Sequence, residues 1–341
     1  MNKDYNFIVK ITTSCPGNCK CCVNRQKNFK FKNNNFEFFD IDVFKKICIN
    51  IKKLGGSYIC ISGGEPTIVS NLDEYINIAH QEGLATRINT NGWNVTEENL
   101  ERWLNLGLDQ IVLSIYGTDE STVLKSRGNK KIFTHSMNAL SAIKKLRQKY
   151  NFIFIMQTII MKDTYKILPD ILKLAIDSNA DLFWPSYLED AINLPEIRME
   201  KEEILYFKKN IIPKMKKVIS NSKLDTAVKS QLQISLEQYY SIDYDDYIYH
   251  SLNCSCHWLG KHFTFYPNGV VDPCPGHEYF TSEYQYKVNY EDIDKFMSIE
   301  NLESTNNICF EYCKYCPQGE HKELLLRKKS FHEHSRKEDL V

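Results

Sequence analysis

No sign of charge prevails in this chain. Its 43 lysines and arginines meet 43 aspartates and glutamates. A balanced chain has no overall field to draw nucleic acid or an anionic membrane. Long apolar runs are missing as well. The longest, such as FIFIM at 152–156, are strand-sized and fall far short of the ~20 residues that cross a bilayer. The opening stretch, MNKDYNFIVK, lacks the apolar core and small-residue site of a signal peptide. No candidate strand is followed by a G-x-G-x-x-G turn, which counts against a dinucleotide-binding fold. Neither a phosphate loop nor a Ser/His/Asp set stands out. These absences predict a cytoplasmic protein without nucleic-acid or membrane partners.

Cysteine, by contrast, is plentiful. The chain has 12, and ten of them cluster: 15, 19, 21 and 22; then 254, 256 and 274; then 309, 313 and 316. In a reducing compartment they are not expected to form structural disulfides, and clustered thiols there read as metal ligands. Cys48, in a helical stripe, and Cys60, in an apolar strand, read as core residues.

Between the clusters the pattern alternates. Strands are predicted at 7–12, 57–62, 85–90, 110–115, 152–160 and 181–186. Helices are predicted at 40–54, 71–83, 96–107, 133–150 and 164–178. Thr96 reads as an N-cap, and Gly83 and Gly107 as helix stops. Such alternation implies right-handed βαβ units on a parallel sheet. An open doubly wound sheet is one solution; six units fit a partial (β/α)6 TIM-like barrel better. In a barrel the chemistry sits at the C-terminal ends of the strands. The first cysteine loop, GGEP at 63–66 and TNG at 90–92 each follow a strand directly and so share that face.

Residues 199–240 read as further helices. Residues 238–250, QYYSIDYDDYIYH, form a tyrosine-rich acidic linker or cap. Beyond 250 the pattern shifts to short segments, and the PNG at 267–269 signals a hairpin between two β-type runs. The expected division is a barrel over 1–237, the linker or cap over 238–250, a small cysteine-rich region over 251–319 and a polar tail over 320–341. The cysteine-rich region has few apolar residues and would need a metal staple.

Cys15, Cys19 and Cys22 are spaced C-x3-C-x2-C. A structural zinc cage usually pairs two cysteines with a second, distant pair. Three thiolates in one short loop suit instead one side of a cubane iron–sulfur cluster, leaving the fourth iron open.

The cysteine triad after a first strand, with GGEP after the second, resembles the radical S-adenosylmethionine (radical SAM) superfamily over roughly 7–235. The resemblance implies a [4Fe–4S] cluster on Cys15, Cys19 and Cys22, with S-adenosylmethionine on the open iron. Reductive cleavage would give a 5′-deoxyadenosyl radical that takes a hydrogen atom from substrate. It also implies that Gly63, Gly64, Glu65 and Pro66 meet the methionyl amine and that Ser114 and Arg127 meet the cofactor's carboxylate. Asn91 and Gln157 match positions near ribose or adenine. For Arg127 the ordinary reading is a solvated loop charge, and for Asn91 and Gln157 turn or barrel polar residues. Relatives usually have an aromatic just before the third cysteine. Here it is Cys21, which reads as a small buried side chain or as an extra thiol beside the radical site.

The later cysteines resemble the SPASM/twitch extension of this family: Cys256, Gly269 and Cys274, then Cys313 and Cys316. The resemblance implies a second, auxiliary [4Fe–4S] cluster on Cys256, Cys274, Cys313 and Cys316, with Cys254 and Cys309 as alternates. A zinc ribbon is the competing reading. His257 and His262 read as members of such a site or, more simply, as polar surface residues. Relatives of this type mostly modify peptides by cross-linking, epimerisation or oxidation, and a minority are dehydrogenases or epimerases of small molecules. An electron donor such as flavodoxin or ferredoxin is the implied partner. Because the cluster loop begins at residue 15, leader-dependent peptide recognition is less expected. The tyrosines near 239–249 and FWPSYLED at 183–190 read as groove lining or as packing. A non-catalytic zinc or iron–sulfur protein on the same scaffold is the alternative outside enzymes.

Overall fold

The computed structural model describes residues 6–22, 38–188, 194–241, 244, 262–272, 286–298, 302 and 324–325. Six parallel strands form its centre: β1 (Asn6–Lys10), β2 (Tyr58–Ser62), β3 (Ala85–Thr90), β4 (Leu108–Ser114), β5 (Ile153–Ile160) and β6 (Leu182–Tyr187). They lie side by side in chain order, with register pairs such as Ile8 with Cys60, Cys60 with Arg87 and Ser114 with Gln157. Between them run α1 (Ile41–Lys53), α2 (Leu72–Gln81), α3 (Glu97–Asn105), α4 (Glu120–Arg127), α5 (Lys131–Leu146) and α6 (Leu168–Asp177). This is the mixed α/β, parallel-strand architecture expected of a partial barrel. Among the described residues the arc does not close on itself. The free edge of β6 pairs with β10 (Leu324–Leu325), and that of β1 with β7 (His262–Phe265).

The helices start where local chemistry lets them. Asp40 caps α1 by accepting from the N–H groups of Asp42 and Val43, both at 2.9 Å, and Thr96 caps α3 through Asn99 N–H at 3.1 Å. The predicted helix at 164–178 opens as a 3₁₀ turn (Tyr165–Ile167) before α6, where Pro169 occupies the first turn, needing no N–H bond there. Helix α4 falls in a stretch read as loop. It has few apolar residues to betray a stripe, but Asp119 and Thr122 form a capping box at its start, and Gly128 ends it at φ 67°.

Two cores follow from strand alternation. Phe7 and Val9 of β1, with Ile11 just beyond it, join the main core with Phe44, Ile59, Ile88, Ile111, Phe154 and Phe183. Val112, Ile153, Ile155 and Leu182, one residue out of step, form a separate cluster with Trp184 on the inner face. At the far end of α5, Arg147 grips Asp181 with two hydrogen bonds of 2.6 and 2.8 Å, and Asp181 also accepts from Phe154 N–H at 2.8 Å.

After β6 come α7 (Lys201–Tyr206), a π-helical turn (Phe207–Ile211), α8 (Ile212–Asn221) and α9 (Thr226–Ser241). The hairpin predicted at PNG is β7 and β8 (Val270–Asp272), with Gly269 at φ 81°. It draws its core from the barrel: Phe263 and Phe265 stack on Phe7 at 5.9 and 6.5 Å between ring centroids. This overturns the surface reading of His262. Its ring is buried, 4% exposed, between Asn6 Nδ2 and Thr264 Oγ1, because β7 pairs with β1 rather than standing apart. The strand β9 (Tyr286–Lys287) and a short helix, Ile293–Phe296, complete the described C-terminal part. Cys254, Cys256, His257, Cys274, Cys309, Cys313 and Cys316 lie outside the described residues.

Candidate active site

The turns after β1, β2 and β3 interlock at one end of the sheet. Gly64 N–H donates to Thr12 O at 2.7 Å, and Glu65 N–H to Ser14 O at 2.8 Å. The GGEP turn is thus bonded to the entrance of the cysteine loop. Its glycines are needed for that approach. A Cβ on Gly63 (φ 141°) would lie 2.4 Å from Thr12 O, and one on Gly64 2.1 Å from Ser14 O.

Glu65 is 1% exposed. Its Oε1 accepts from Thr67 N–H, Thr67 Oγ1 and Thr90 Oγ1 at 3.1, 2.7 and 2.6 Å; its Oε2 accepts from Asn91 N–H at 2.6 Å. The carboxylate ties the second turn to the third. Burial pushes its pKa up, and the hydrogen bonds from Thr90, Asn91 and Thr67 work against that rise. The resemblance alone assigns Glu65 to an ammonium group; its geometry adds a clamp between strand ends.

Around the cysteine loop, Gly17 N–H points at Cys15 Sγ at 3.3 Å, and Asn91 Nδ2 lies 3.7 Å from the same sulfur. A Cβ placed on Gly17 would sit 3.5 Å from Cys15 Sγ and 3.7 Å from Cys19 Sγ, so the two sulfurs flank one spot. Cys22 N–H closes the loop onto Cys19 O at 3.2 Å. Cys15, Cys19 and Cys22 are half-buried; Cys21 is buried in the core. Burial, then the charge of Glu65, pushes the Cys15 thiol up to about 12. Loading a metal there must therefore release protons. Among the described residues no group of three or more His, Cys, Asp or Glu side chains is arranged to hold a single metal ion. Thiolates that each take a different iron of a cluster need not converge on one point. The donor set, three thiols in one short loop, fits such a cluster.

Ser114 and Gln157 stand opposite each other at the same end of the sheet, on β4 and β5. Arg127 ends α4 and is 4% exposed, not a solvated loop charge. Its Nη2 donates to Ser114 O at 2.6 Å, and its guanidinium lies 3.8 Å from the centroid of the Tyr116 ring. Burial works against its charge, but Cys19, Tyr116, Cys21 and Cys15 hold its pKa above the usual value. The same segment grips the loop from outside. Asn18 N–H donates to Arg127 O at 2.7 Å, and Asn129 Nδ2 to Pro16 O at 2.9 Å. Sequence reasoning misses Asn18, Asn129, Thr67, Thr90 and Tyr116. The capping box and the C-terminal glycine of α4 were the legible signal for where this grip falls.

Residues 9–175 match the family model described as Radical SAM superfamily. The chain is 23% identical over 279 residues to the PqqA peptide cyclase of Bradyrhizobium diazoefficiens, covering 80% of this chain and 67% of the relative. Among solved structures it resembles Streptococcus suis SuiB bound to precursor peptide SuiA (TM-score 0.64, 15% identity, 93% of this chain and 70% of that one). It also resembles anSMEcpe with bound AdoMet (TM-score 0.60, 14% identity, 92% of this chain and 88% of that one). Among the described residues no helix is long and apolar enough to cross a membrane. The triad, the GGEP turn bonded to it and the parallel sheet beneath all fall within the matched residues, and residues 9–175 form a radical SAM superfamily domain.

Proposed function

We propose that the chain is a radical SAM enzyme that modifies a peptide. When bound, the [4Fe–4S] cluster and S-adenosylmethionine supply an electron and a sulfonium whose cleavage yields a 5′-deoxyadenosyl radical able to take hydrogen from an unactivated C–H bond. Cys15, Cys19 and Cys22 would hold three irons. The Gly63–Pro66 turn would meet the methionyl amine, since its backbone is already drawn close to the cysteine loop. Ser114 and Arg127 would take the carboxylate, for which a guanidinium fork is suited. Asn91 and Gln157 would face the nucleoside. Cys21, packed in the core beside the loop, would shape that wall rather than react. The observation that carries this reading is the joining of three strand-end turns around Cys15, with Glu65 as their clamp.

The peptide substrate is supported by the similarity to the Bradyrhizobium PqqA peptide cyclase and by the likeness to SuiB bound to its precursor peptide. We keep the division of the chain at 237, 250 and 319, with the auxiliary [4Fe–4S] cluster on Cys256, Cys274, Cys313 and Cys316, and Cys254 and Cys309 as alternates. A small one-electron donor protein of the flavodoxin or ferredoxin class completes the set of partners.

Anaerobic reconstitution with iron and sulfide tests this. Two cubanes predict about eight irons per chain and a broad visible absorption band. Tight zinc binding with no iron uptake would remove the enzyme reading. If the first cluster alone forms, giving about four irons, the auxiliary assignment fails and the catalytic one stands.

A further inference from the structure

On the reading above, the cluster loop must receive one electron from outside the chain for each cofactor cleaved, so some surface must admit the donor. The elbow between α4 and α5 lies directly against the loop. It holds the loop through Asn18 N–H to Arg127 O and Asn129 to Pro16 O. Ile132 Cδ1 lies 3.1 Å from where a Cβ on Gly17 would be. Asn18 and Gly128 are both exposed here, and Asn18 adjoins Cys19.

The β3–α3 turn packs against the same helix. A Cβ on Gly92 would lie 2.9 Å from Ser136 Cα. Beside it, Trp93 and His135 stack with ring centroids 4.1 Å apart and planes 20° apart, both half-exposed. Trp93 N–H donates to Asn91 Oδ1 at 3.1 Å, and Asn91 Nδ2 reaches Cys15 Sγ at 3.7 Å. A bonded path therefore runs from a surface aromatic stack to a cluster thiol.

The rim of this surface is basic. Lys125 and Lys131 are exposed and have no ion pair among the described residues, and Lys131 lies one turn from His135 on α5. Lys130 shares Glu120 at 3.8 Å. Asp119 is occupied as the α4 cap, accepting from Thr122 N–H at 2.8 Å. Of the α3 acids, Glu97 and Glu101 are paired with Lys145 and Lys149, leaving Glu98 exposed without an ion pair among the described residues. Leu124, 49% exposed, adds an apolar contact on α4. A half-exposed aromatic centre with a basic rim suits a small acidic protein surface.

We propose that this rim, residues 124–131 with the Trp93–His135 stack, is the docking face for an acidic one-electron donor protein of the flavodoxin or ferredoxin class. The proposal rests on the radical SAM reading of the cysteine loop. The transfer balances simply: the donor loses one electron, the cluster gains it, and no atom moves between them.

The test titrates oxidised flavodoxin into the reconstituted full chain at low and high salt, then follows cluster reduction by reduced flavodoxin and by dithionite. The variant is Lys125→Glu with Lys131→Glu. The control is Lys209→Glu with Lys214→Glu, two exposed lysines on the far helices with the same change in net charge. The elbow variant should bind flavodoxin about tenfold more weakly or worse, with a flatter salt dependence. It should slow reduction by flavodoxin and leave reduction by dithionite unchanged, while the control stays near wild type. Equal losses in both double variants, or wild-type binding by the elbow variant, would overturn the docking face. If dithionite fails to reduce the wild-type chain, the radical SAM reading falls instead, and the binding titration still decides the docking face.

Discussion

Glu65 accepts four hydrogen bonds through two oxygens, three of them on Oε1. Glutamine in its place keeps the shape but turns one acceptor into a donor. Either Asn91 N–H or the three donors on Oε1 would then face an NH₂ group. Leaving a buried donor unmade costs about 1–3 kcal/mol, so Glu65→Gln should lower the stability of the chain by that order in chemical denaturation. It should also loosen the cysteine loop, read as slower iron uptake. Full stability in the glutamine variant would mean that the clamp is not structural. At this scale the sequence showed the motif residues and hid their partners. C-x3-C-x2-C and GGEP carry their chemistry in their spacing. Thr67, Thr90, Asn18 and Asn129 act through single contacts made across loops far apart in the chain, which no spacing encodes.

At the scale of elements, α4 decides how the cysteine loop is held. Gly128 is left-handed at φ 67°, and a Cβ there would sit 2.8 Å from both the Cβ and the carbonyl oxygen of Asn18. Gly128→Ala should therefore cost more than the ~1 kcal/mol of the backbone conformation alone. Its larger effect should fall on the loop, so iron content after reconstitution should drop by half or more. Unchanged iron content would show that the elbow does not support the loop. The strands were legible because each is a short apolar run bounded by turns. Helix α4 was not, since only Val123 and Leu124 among its eight residues are large and apolar, and Leu124 is half-exposed. Its caps were the readable sign. The Arg147–Asp181 pair joins two further elements, the end of α5 and the start of β6, with side chains 12% and 8% exposed. Removing one partner of such a buried pair typically costs about 3–5 kcal/mol. Asp181→Ala also strands Phe154 N–H, so its denaturation midpoint should fall accordingly.

For the molecule as a whole, the seam between β1 and β7 fastens the C-terminal hairpin to the barrel, and His262 titrates within it. Burial, then the charges of Arg87 and Lys10, lowers its pKa to about 3. Unfolded, it titrates near 6.5. Between those values the unfolded chain binds a proton that the folded chain refuses, so stability falls as pH drops below about 6.5. At pH 5 the loss from this group is about 2 kcal/mol. The difference in stability between pH 7 and pH 5 should shrink by that amount in His262→Asn; an equal difference in both chains would contradict the buried neutral histidine. Sequence alone separated this hairpin from the barrel because its own apolar residues are few. Phe263 and Phe265 find their core on Phe7, more than 250 positions away, and only the folded sheet reveals that pairing.

The cysteine triad and its clamp are proposed as a radical-generating site. The most direct measurement is 5′-deoxyadenosine formed from S-adenosylmethionine under dithionite, comparing the reconstituted wild type with Cys15→Ala. Product from the wild type and none above background from Cys15→Ala is the predicted result. Equal product from both chains, or none from a wild type with full iron content, would contradict it.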